Sequence, residues 1–466
     1  MTGFFLKNID LIATMDDSQS EITNGYIITD GHKIQSVGHC DAAPLIEKNT
    51  EKAETLDLKN HIVIPGLVNV HHHLYQNMTR VIPAGQNTPL FPWLQSLYPI
   101  WQRMKPEHFY VAAAVGLCEL ALSGCTTTSD HQYIFPNGTK LDDTIQAALD
   151  IGLRFVATRG SMSIGETKGG LPPDQLCENE TDILKDCERV IGMFHQRQKH
   201  AMVQIALAPC SPFSVSQDLM RESAILAEEK QVGLHTHLAE NVEDIEYSLA
   251  NFNMRPGEYI KKLGWVGPHV WHAHCVQLDD HEIKLFADTQ TGVAHCPCSN
   301  MRLGSGIAPI RKMRAQNVRV GLGVDGSASN DSAHMLCEAR QALLLQRVLD
   351  GKRLKDQRSD DPSGYMSARE ALFIATRGGA EVLNRHDIGQ IKSEYSADLV
   401  IFDRRSIELA GTQSDPIAGL ILCAPVKPRY VIVNGKMIVK DGQMVSINVQ
   451  NLLEKHHHLA TQLFKG

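Results

Sequence analysis

The amino-acid sequence predicts an α/β protein, a (β/α)8 barrel of the TIM type with a small β-sandwich domain built from both chain termini. Three observations predict this fold. Eight apolar, strand-like runs alternate with helical patterns through the middle of the chain, which indicates a parallel sheet with enough strands to close a barrel. Both chain ends contain hairpin turns instead. The chain has 466 residues, of which 43% are hydrophobic, and this is sufficient for a large buried core.

The two chain ends share a hairpin signature. Asp30-Gly31 interrupts the alternating segment GYIITDGHKIQSVG, and Asn434-Gly435 interrupts RYVIVNGKMIVKDG. These dipeptides favour tight turns because Asn, Asp and Gly tolerate a positive φ. We therefore expect residues 1–62 and 380–466 to form one discontinuous β-sandwich domain, and residues 63–379 to form the barrel.

The barrel is predicted from eight runs and the helical patterns between them. A doubly wound open sheet is the alternative, since short strands are difficult to count from one sequence. The charged segment 351–363 is predicted to be a surface loop. The strand-like runs are 62–70, 125–130, 153–159, 202–209, 232–237, 268–274, 292–296 and 318–325, and helical patterns occupy 106–123, 141–151, 179–197, 215–230 and 279–289.

The composition argues against several classes of protein. Lys and Arg number 45 against 53 Asp and Glu, a net charge of −8, whereas a nucleic-acid-binding surface requires clustered basic residues. The longest apolar stretch, Val111 to Cys125, contains Glu119 and is shorter than the roughly 18 residues that span a membrane. The 11 Cys residues have no regular spacing, and no signal-peptide pattern precedes them, so we expect a reduced, cytoplasmic protein.

Several of the 22 histidines follow predicted strands. His71 and His73 come after the first run and share one face of it, because side chains at i and i+2 of a strand point the same way. His237 ends the fifth run, His274 ends the sixth, and Asp325 ends the eighth. The carboxyl ends of barrel strands form the face that carries active sites. We therefore expect these side chains to meet there, where His71 and His73 could bind one metal ion.

Each of these positions also has an ordinary structural interpretation. Glu240, three residues after His237, could move protons beside a metal-activated water, or it could belong to a solvated acidic run that includes Asp244. His274 could be a hydrogen-bonded core residue, and Asp325 could be a turn residue. Their common placement at four strand ends favours the functional interpretation.

The motifs HHHLYQ, HTHLAEN, WHAHC and GLGVDGSASND, taken in order, resemble those of the amidohydrolase superfamily, in its mononuclear deaminase branch. The resemblance covers nearly the whole chain. Binuclear members carry a carboxylated lysine after strand four, but strand four here ends in APCS (208–211), so a single metal ion is expected. The resemblance implies one divalent ion, Zn²⁺ before Fe²⁺ or Mn²⁺, held by His71, His73, His237 and Asp325.

The resemblance also implies a reaction, the hydrolytic deamination of an amino-substituted purine base. The expected conversion is 8-oxoguanine to urate and ammonia; the alternatives are deamination of guanine, isocytosine, a pterin or a hydroxylated s-triazine, and triazine dechlorination. Asp325 would accept a proton from water, His274 would hydrogen-bond the tetrahedral centre, and Glu240 would carry protons to the ring and the departing ammonia. The implied partners are a small heterocyclic base and further copies of the chain in a homo-oligomer, a dimer or higher.

Five further residues are candidates for contact with the base. Gln76 could donate and accept at an amide-like ring edge, although a loop amide is the alternative. Trp93 could stack on the ring face, and loop packing is its alternative. His131, Cys210 and Ser329 are candidates only because they lie at predicted strand ends.

Three other motifs have structural interpretations. GLGVDG (321–326) matches GxGxxG but lacks the βαβ context and the acidic residue of a dinucleotide site. HCPC (295–298) has no second Cys pair with zinc-site spacing and is attributed to packing of the seventh strand. The tract His456–His458 is attributed to a helical surface.

Overall fold

A computed structural model describes residues 3–41, 53–351 and 365–465 of the chain. Its centre is a closed, parallel barrel of eight strands, which confirms the predicted fold class and excludes the open doubly wound sheet. A second sheet of nine strands is formed from both ends of the chain. The predicted charged loop at 351–363 lies outside the described residues apart from its first residue.

The strands belong to three sheets. The nine-stranded terminal sheet contains β1 to β5 and β16 to β19, the barrel contains β6 and β8 to β14, and β7 pairs only with β15. In chain order the strands are β1 (Phe4–Ala13), β2 (Glu21–Asp30), β3 (Lys33–His39), β4 (Glu54–Asp57), β5 (His61–Pro65), β6 (Leu67–Asn69), β7 (His72–His73), β8 (Cys125–Gln132), β9 (Arg154–Ser161), β10 (Val203–Pro209), β11 (Gly233–Leu238), β12 (Val270–His274), β13 (Gly292–His295), β14 (Arg319–Leu322), β15 (Asp325–Gly326), β16 (Leu399–Asp403), β17 (Tyr430–Val433), β18 (Lys436–Lys440) and β19 (Gln443–Met444).

The five predicted helical patterns are confirmed as α2, α3, α4, α5 and α8, with ends that differ by a few residues. Within the described ranges, none of the helices is long and apolar enough to cross a membrane. The helices are α1 (Leu90–Trp101), α2 (Pro106–Leu122), α3 (Leu141–Ile151), α4 (Glu180–Phe194), α5 (Gln217–Lys230), α6 (Val242–Phe252), α7 (Pro256–Lys262), α8 (Asp280–Thr289), α9 (Pro297–Arg302), α10 (Ile310–Ala315), α11 (Met335–Gly351), α12 (Ala368–Ala375), α13 (Arg377–Val382), α14 (Pro416–Leu422) and α15 (Val449–Lys465).

The predicted first barrel strand, 62–70, is wrong as a single strand. Its first part is β5, which pairs with β1 and β16 of the terminal sheet, and its second part is β6, which pairs with β8 and β14. The chain crosses between the sheets at Gly66, where a Cβ would lie 1.9 Å from the Thr126 hydroxyl. Strands buried on both faces read as continuous apolar runs, so the pattern conceals the crossing.

The predicted eighth strand, 318–325, is also divided. Its first part is the barrel strand β14, and after two further residues Asp325 begins the short strand β15. In the pairing of β15 with β7, Asp325 lies opposite His72 and Gly326 opposite His73. This small ladder holds Asp325 beside the end of the first barrel strand.

The two predicted hairpins are confirmed in the terminal sheet. The turn at Gly31 joins β2 to β3, and Asn434 and Gly435, both at positive φ, join β17 to β18. These turns lie on different sides of the strand order, yet a Cβ on Gly435 would lie 1.8 Å from the Gly31 carbonyl oxygen. The terminal sheet is therefore curled around its own core.

The amino end of the barrel is filled by apolar side chains. Val68, Val156 and Trp271 of the barrel pack with Ala380 and Val382 of α13 in one buried cluster. The carboxyl end of the same strands carries the histidines and carboxylates that line the cavity described below.

Candidate active site

Three histidines at the carboxyl end of the barrel are held by their Nδ1 atoms. The Nδ1–H of His73 donates to the His131 carbonyl oxygen at 2.7 Å, and that of His237 to the Cys210 carbonyl oxygen at 2.6 Å. A carbonyl oxygen can only accept, so in both rings the proton is on Nδ1. The Nε2 lone pair of each ring is therefore free for another partner.

His71 is oriented by a second histidine. Its Nδ1–H donates to Nε2 of His235 at 2.7 Å, while the Nδ1–H of His235 donates to the Trp271 carbonyl oxygen at 2.9 Å. This chain again leaves an Nε2 lone pair, and Nε2 of His71 is buried with no protein group that donates a hydrogen bond to it. Partners of this kind fix the tautomer and direction of metal-binding imidazoles.

The Nε2 atoms converge with the Asp325 carboxylate. Nε2 of His73 lies 3.1 Å from Nε2 of His237, and Oδ1 of Asp325 lies 3.1 Å from Nε2 of His71 and 3.3 Å from that of His73. Two unprotonated nitrogens at such a distance repel each other unless a cation lies between them. Ligands of a tetrahedral zinc ion, bound at about 2.1 Å, are about 3.4 Å apart. The donor set therefore fits one divalent metal ion.

The charge states of these groups also suit a metal ion. Burial, reinforced by His73 and His274, lowers the pKa of His237 to about 3, and burial holds the pKa of His71 well below its ordinary value. Burial alone would raise the pKa of Asp325, but contacts with His71 and His73 outweigh it and hold that pKa well below the usual range. Neutral imidazoles and a carboxylate are the forms that bind metals.

Glu240 and His274 lie beside this set. Nε2 of His274 is 3.6 Å from Oε2 of Glu240 and 3.9 Å from Oδ2 of Asp325, and its Nδ1–H donates to Oδ1 of Asn300 at 2.9 Å. The Ser305 hydroxyl donates to Oε1 of Glu240 at 3.3 Å. Burial raises the pKa of Glu240 to about 7. A carboxyl with such a pKa can both give and take a proton near neutral pH.

Left-handed backbone conformations occur at this end of the barrel, including three residues at or next to the site. The φ angles are +49° at Ala239, +69° at His274 and +60° at Asp325. Non-glycine residues adopt such values at a cost of order 1–3 kcal/mol each, and they do so mainly at functional sites. The strain turns the chain sharply where the side chains of Glu240, His274 and Asp325 enter the site.

A cavity of about 590 Å³, which includes its solvent-open part, lies above these groups. Four of the five predicted base-contact residues line it, namely Gln76, Trp93, Cys210 and Ser329. Oε1 of Gln76 is buried without a protein partner. Gly326 makes room for it, since a Cβ at that position would lie 1.8 Å from this oxygen.

His131, predicted as a base-contact residue, is placed elsewhere. It does not line the cavity but lies in the group formed by the ring nitrogens of His71, His73 and His237, whose ligand atoms are within 4.8 Å of one another. Its Nε2–H donates to the Ala208 carbonyl oxygen at 2.9 Å, and this hydrogen bond directs the Nε2 atom of the ring to the strand backbone instead of the cavity. Position at a strand end does not determine the direction of a side chain.

The sequence interpretation missed two residues of the site. His235 was passed over although it stands at i−2 from His237, the same spacing that links His71 to His73. Asp244 was assigned to a solvated run, but its side chain is buried in the cavity wall, and burial raises its pKa to about 6. Its position at i+4 from Glu240, early in a helix, was the available signal.

The chain is similar to known proteins in both sequence and fold. The sequence profile of the amidohydrolase family matches residues 62–438. The chain is 42% identical to 8-oxoguanine deaminase of Pseudomonas aeruginosa over 450 residues, 96% of each chain, and 31% identical to isoxanthopterin deaminase of an unknown prokaryotic organism, over 96% of this chain and 94% of the relative. Atrazine chlorohydrolase of Arthrobacter aurescens, crystallised with zinc, has a TM-score of 0.90 at 31% identity and covers 98% of this chain and 100% of its own.

Proposed function

Because the chain belongs to the amidohydrolase family, we propose that it is a metal-dependent deaminase that hydrolyses 8-oxoguanine to urate and ammonia. The observation that carries the reaction class is the buried Glu240 carboxyl, held beside His274 and Asp325 at the edge of the histidine set. The choice of 8-oxoguanine is supported by the 42% identity to a deaminase of that base.

The metal ion is proposed to be a single Zn²⁺ held by His71, His73, His237 and Asp325. Nitrogen and oxygen ligands are typical of catalytic zinc, which can expand to five ligands when water joins, and zinc is present in the chlorohydrolase crystal. When bound, the ion would activate water for attack by lowering its pKa toward neutrality. N/O sites of this kind also accept Fe²⁺ and Mn²⁺.

Side chains of the protein are proposed to accept and donate the protons of the reaction. Oδ2 of Asp325, which accepts a hydrogen bond from the Ser329 hydroxyl at 3.2 Å, takes a proton from the attacking water. Glu240 gives its proton to the unprotonated ring nitrogen beside the amino-bearing carbon, which makes that carbon more electrophilic. Despite burial, Glu240 and Asp325 raise the pKa of His274, and in the protonated ring the Nε2–H donates to the oxygen that forms the new carbon–oxygen bond.

Collapse of the tetrahedral centre requires a better leaving group than an amide anion. Glu240, ionised once it has protonated the ring, takes up the proton that Asp325 accepted from water and gives it to the amino nitrogen, so that the carbon–nitrogen bond breaks and neutral ammonia leaves. As the new carbonyl group forms, the proton of its hydroxyl group returns to Glu240 and restores the starting state. Gln76 is proposed to bind the amide-like edge of the ring through its unpartnered Oε1 and its amide N–H groups, and Trp93, whose Nε1–H donates to the Ala328 carbonyl oxygen at 3.2 Å, is proposed to cover the ring. The cytoplasmic location and the homo-oligomer remain predictions from the sequence.

A parallel screen of free bases tests this proposal. The metal-loaded protein is incubated with 8-oxoguanine, guanine, isocytosine, isoxanthopterin and hydroxylated or chlorinated s-triazines, and ammonia, chloride and metal content are measured on one preparation. We expect ammonia and urate from 8-oxoguanine at the highest kcat/KM. Chloride release without ammonia would support the chlorohydrolase alternative, and no ammonia from any of these compounds would refute the deaminase.

A further inference from the structure

Asp244 is a buried carboxylate whose two oxygens have different surroundings. It occupies the first turn of α6, and its Oδ2 accepts the backbone N–H of Glu240 at 2.8 Å. Its Oδ1 is buried and has no protein partner. The side chain lines the same cavity as Glu240 and His274. A buried acceptor without a partner is costly, so a hydrogen-bond donor from a ligand is the group that would complete it.

Hydrogen bonding at the start of the helix does not by itself explain why Oδ1 of Asp244 has no partner. Asp279 caps the amino end of α8, and both of its carboxylate oxygens have partners. Its Oδ1 accepts the backbone N–H groups of His281 and Glu282, and its Oδ2 pairs with Arg255 at 2.9 Å. Capping carboxylates ordinarily use their oxygens on backbone N–H groups or on solvent. Asp244 instead leaves Oδ1 without a partner, and its side chain lines the site.

The chemistry of the base identifies the donor. In 8-oxoguanine the amino-bearing carbon C2 lies between N1, which carries a hydrogen, and N3, which has a free lone pair. Glu240 must therefore face N3 in order to protonate it. N3 and N9 are both bonded to C4 and lie on one edge of the purine, so a carboxylate next to Glu240 on the same wall meets the N9–H group.

We propose that Asp244 determines substrate specificity by accepting a hydrogen bond from N9–H of a free purine base, so that the site rejects nucleosides and other N9-substituted purines. This inference rests on the proposed deamination at C2. A site built to hydrogen-bond an N–H group discriminates strongly against an analogue that lacks it, because its own polar group is then left unpaired. A substituent on N9 would in addition be pressed against a carboxylate.

Paired substrates and variants test the proposal. Kinetics of 8-oxoguanine and 9-methyl-8-oxoguanine are compared for the wild type, Asp244→Asn and the control Asp279→Asn, with metal content measured for each. We expect the wild type to prefer the parent base by at least about 100-fold in kcat/KM. Asp244→Asn, which keeps an acceptor for the Glu240 N–H but can present an amide donor to N9–H, should lose most of this preference, chiefly through a higher KM. Asp279→Asn should keep it.

Two results would overturn the assignment of Asp244 while leaving the deaminase intact: equal turnover of both bases by the wild type, or an undiminished preference in Asp244→Asn. Complete absence of ammonia from 8-oxoguanine would instead refute the proposed function. In that case calorimetric binding of urate, which retains N9–H, and of 9-methylurate decides the question. Preference for urate in the wild type but not in Asp244→Asn would support the role of Asp244, and equal or absent binding would overturn it.

Discussion

The two ends of the barrel differ in how far their buried polar groups are satisfied by hydrogen bonds within the protein. At the amino end, Arg154 donates from Nε and Nη2 to Asp398 at 3.1–3.2 Å and from Nη1 to the carbonyl oxygens of residues 200 and 201. At the carboxyl end, Oε1 of Gln76 and Oδ1 of Asp244 are buried without hydrogen-bond partners, and no protein group donates a hydrogen bond to Nε2 of His71. A completed network fixes a structure, whereas a cluster of incomplete groups is stable only if a ligand completes it.

This contrast teaches that burial of charge alone does not identify a functional site. Both ends contain carboxylates in apolar surroundings, but at the carboxyl end they lie beside ring nitrogens that are within 4.8 Å of one another and beside the cavity. Substitutions at the carboxyl end should therefore change catalysis with little change in stability, and substitutions at the amino end should do the opposite.

The largest expected effect is that of Glu240→Gln. Loss of the carboxyl removes the proton carrier, and general acid–base groups of this kind contribute about 10²–10⁴-fold, so we expect kcat to fall about 10³-fold with metal content retained. The free energy of unfolding should not decrease, because a neutral amide replaces a buried carboxyl. Glu243→Gln, on the exposed side of α6, is the control and should be neutral. A loss below about tenfold for Glu240→Gln would contradict its role.

At the amino end, Asp398→Asn should destabilise the fold. The substitution leaves the Arg154 guanidinium buried without a counter-charge, which costs about 3–5 kcal/mol. Urea unfolding measures this loss, and kcat per metal-loaded, folded molecule should stay unchanged. The matched control is Asp403→Asn, whose partner Arg405 has a 61% exposed side chain, and it should cost less than about 1 kcal/mol. Equal costs for the two variants would contradict the distinction.

Asp387, also at the amino end, should make stability depend on pH. Burial opposes ionisation of this residue, but its ion pair with Arg385 and the His200 N–H lower its pKa from 3.8 to about 2. Because the folded pKa is the lower one, the stabilisation is present above pH 4 and is lost as the pH falls toward 2. The total is about 2 kcal/mol, of which about half is lost by pH 3.

The variant Asp387→Asn isolates this contribution. The difference in unfolding free energy between the wild type and Asp387→Asn should shrink by about 1 kcal/mol from pH 6 to pH 3. A difference that stays constant or grows over this interval would show that the ion pair does not set the pKa of Asp387.

The smaller of the two expected effects on catalysis is that of Gln76→Ala in the cavity wall. Loss of its proposed contacts with the ring edge should raise KM about tenfold, equivalent to about 1.4 kcal/mol, with a smaller change in kcat and no loss of metal. Steady-state kinetics with 8-oxoguanine measure this split. An unchanged KM would assign Gln76 to the loop structure instead.

The sequence was sufficient to predict the barrel and the convergence of His71, His73, His237 and Asp325, because strand-end positions in a closed barrel lead to a common face. It did not reveal that the runs 62–70 and 318–325 are each divided, since hydrophobicity records burial but not which sheet buries a residue. The short β7–β15 ladder, which holds Asp325 beside the histidines, leaves no sequence periodicity because each strand has two residues.

The sequence also did not reveal the direction in which individual side chains point. His131 and His235 both lie in barrel strands near the site. The ring of His131 bonds to the Ala208 carbonyl oxygen, whereas the ring of His235 accepts a hydrogen bond from His71 and orients it. Asp244 looked like its exposed neighbours Glu243 and Glu246 because an acidic run on a helix is usually solvated. Helix α6 turns one member of that run inward, and only the folded chain shows which one.

Metal titration of the stripped protein tests the central claim most directly. The chain is freed of metal with a chelator, Zn²⁺ is added in steps, and ammonia release from 8-oxoguanine is measured at each step. We expect no activity without metal and a linear recovery that ends at one equivalent per chain, since a single set of three nitrogens and one oxygen is proposed to hold the ion. Full activity of the metal-free protein, or recovery that continues to two equivalents, would contradict this account.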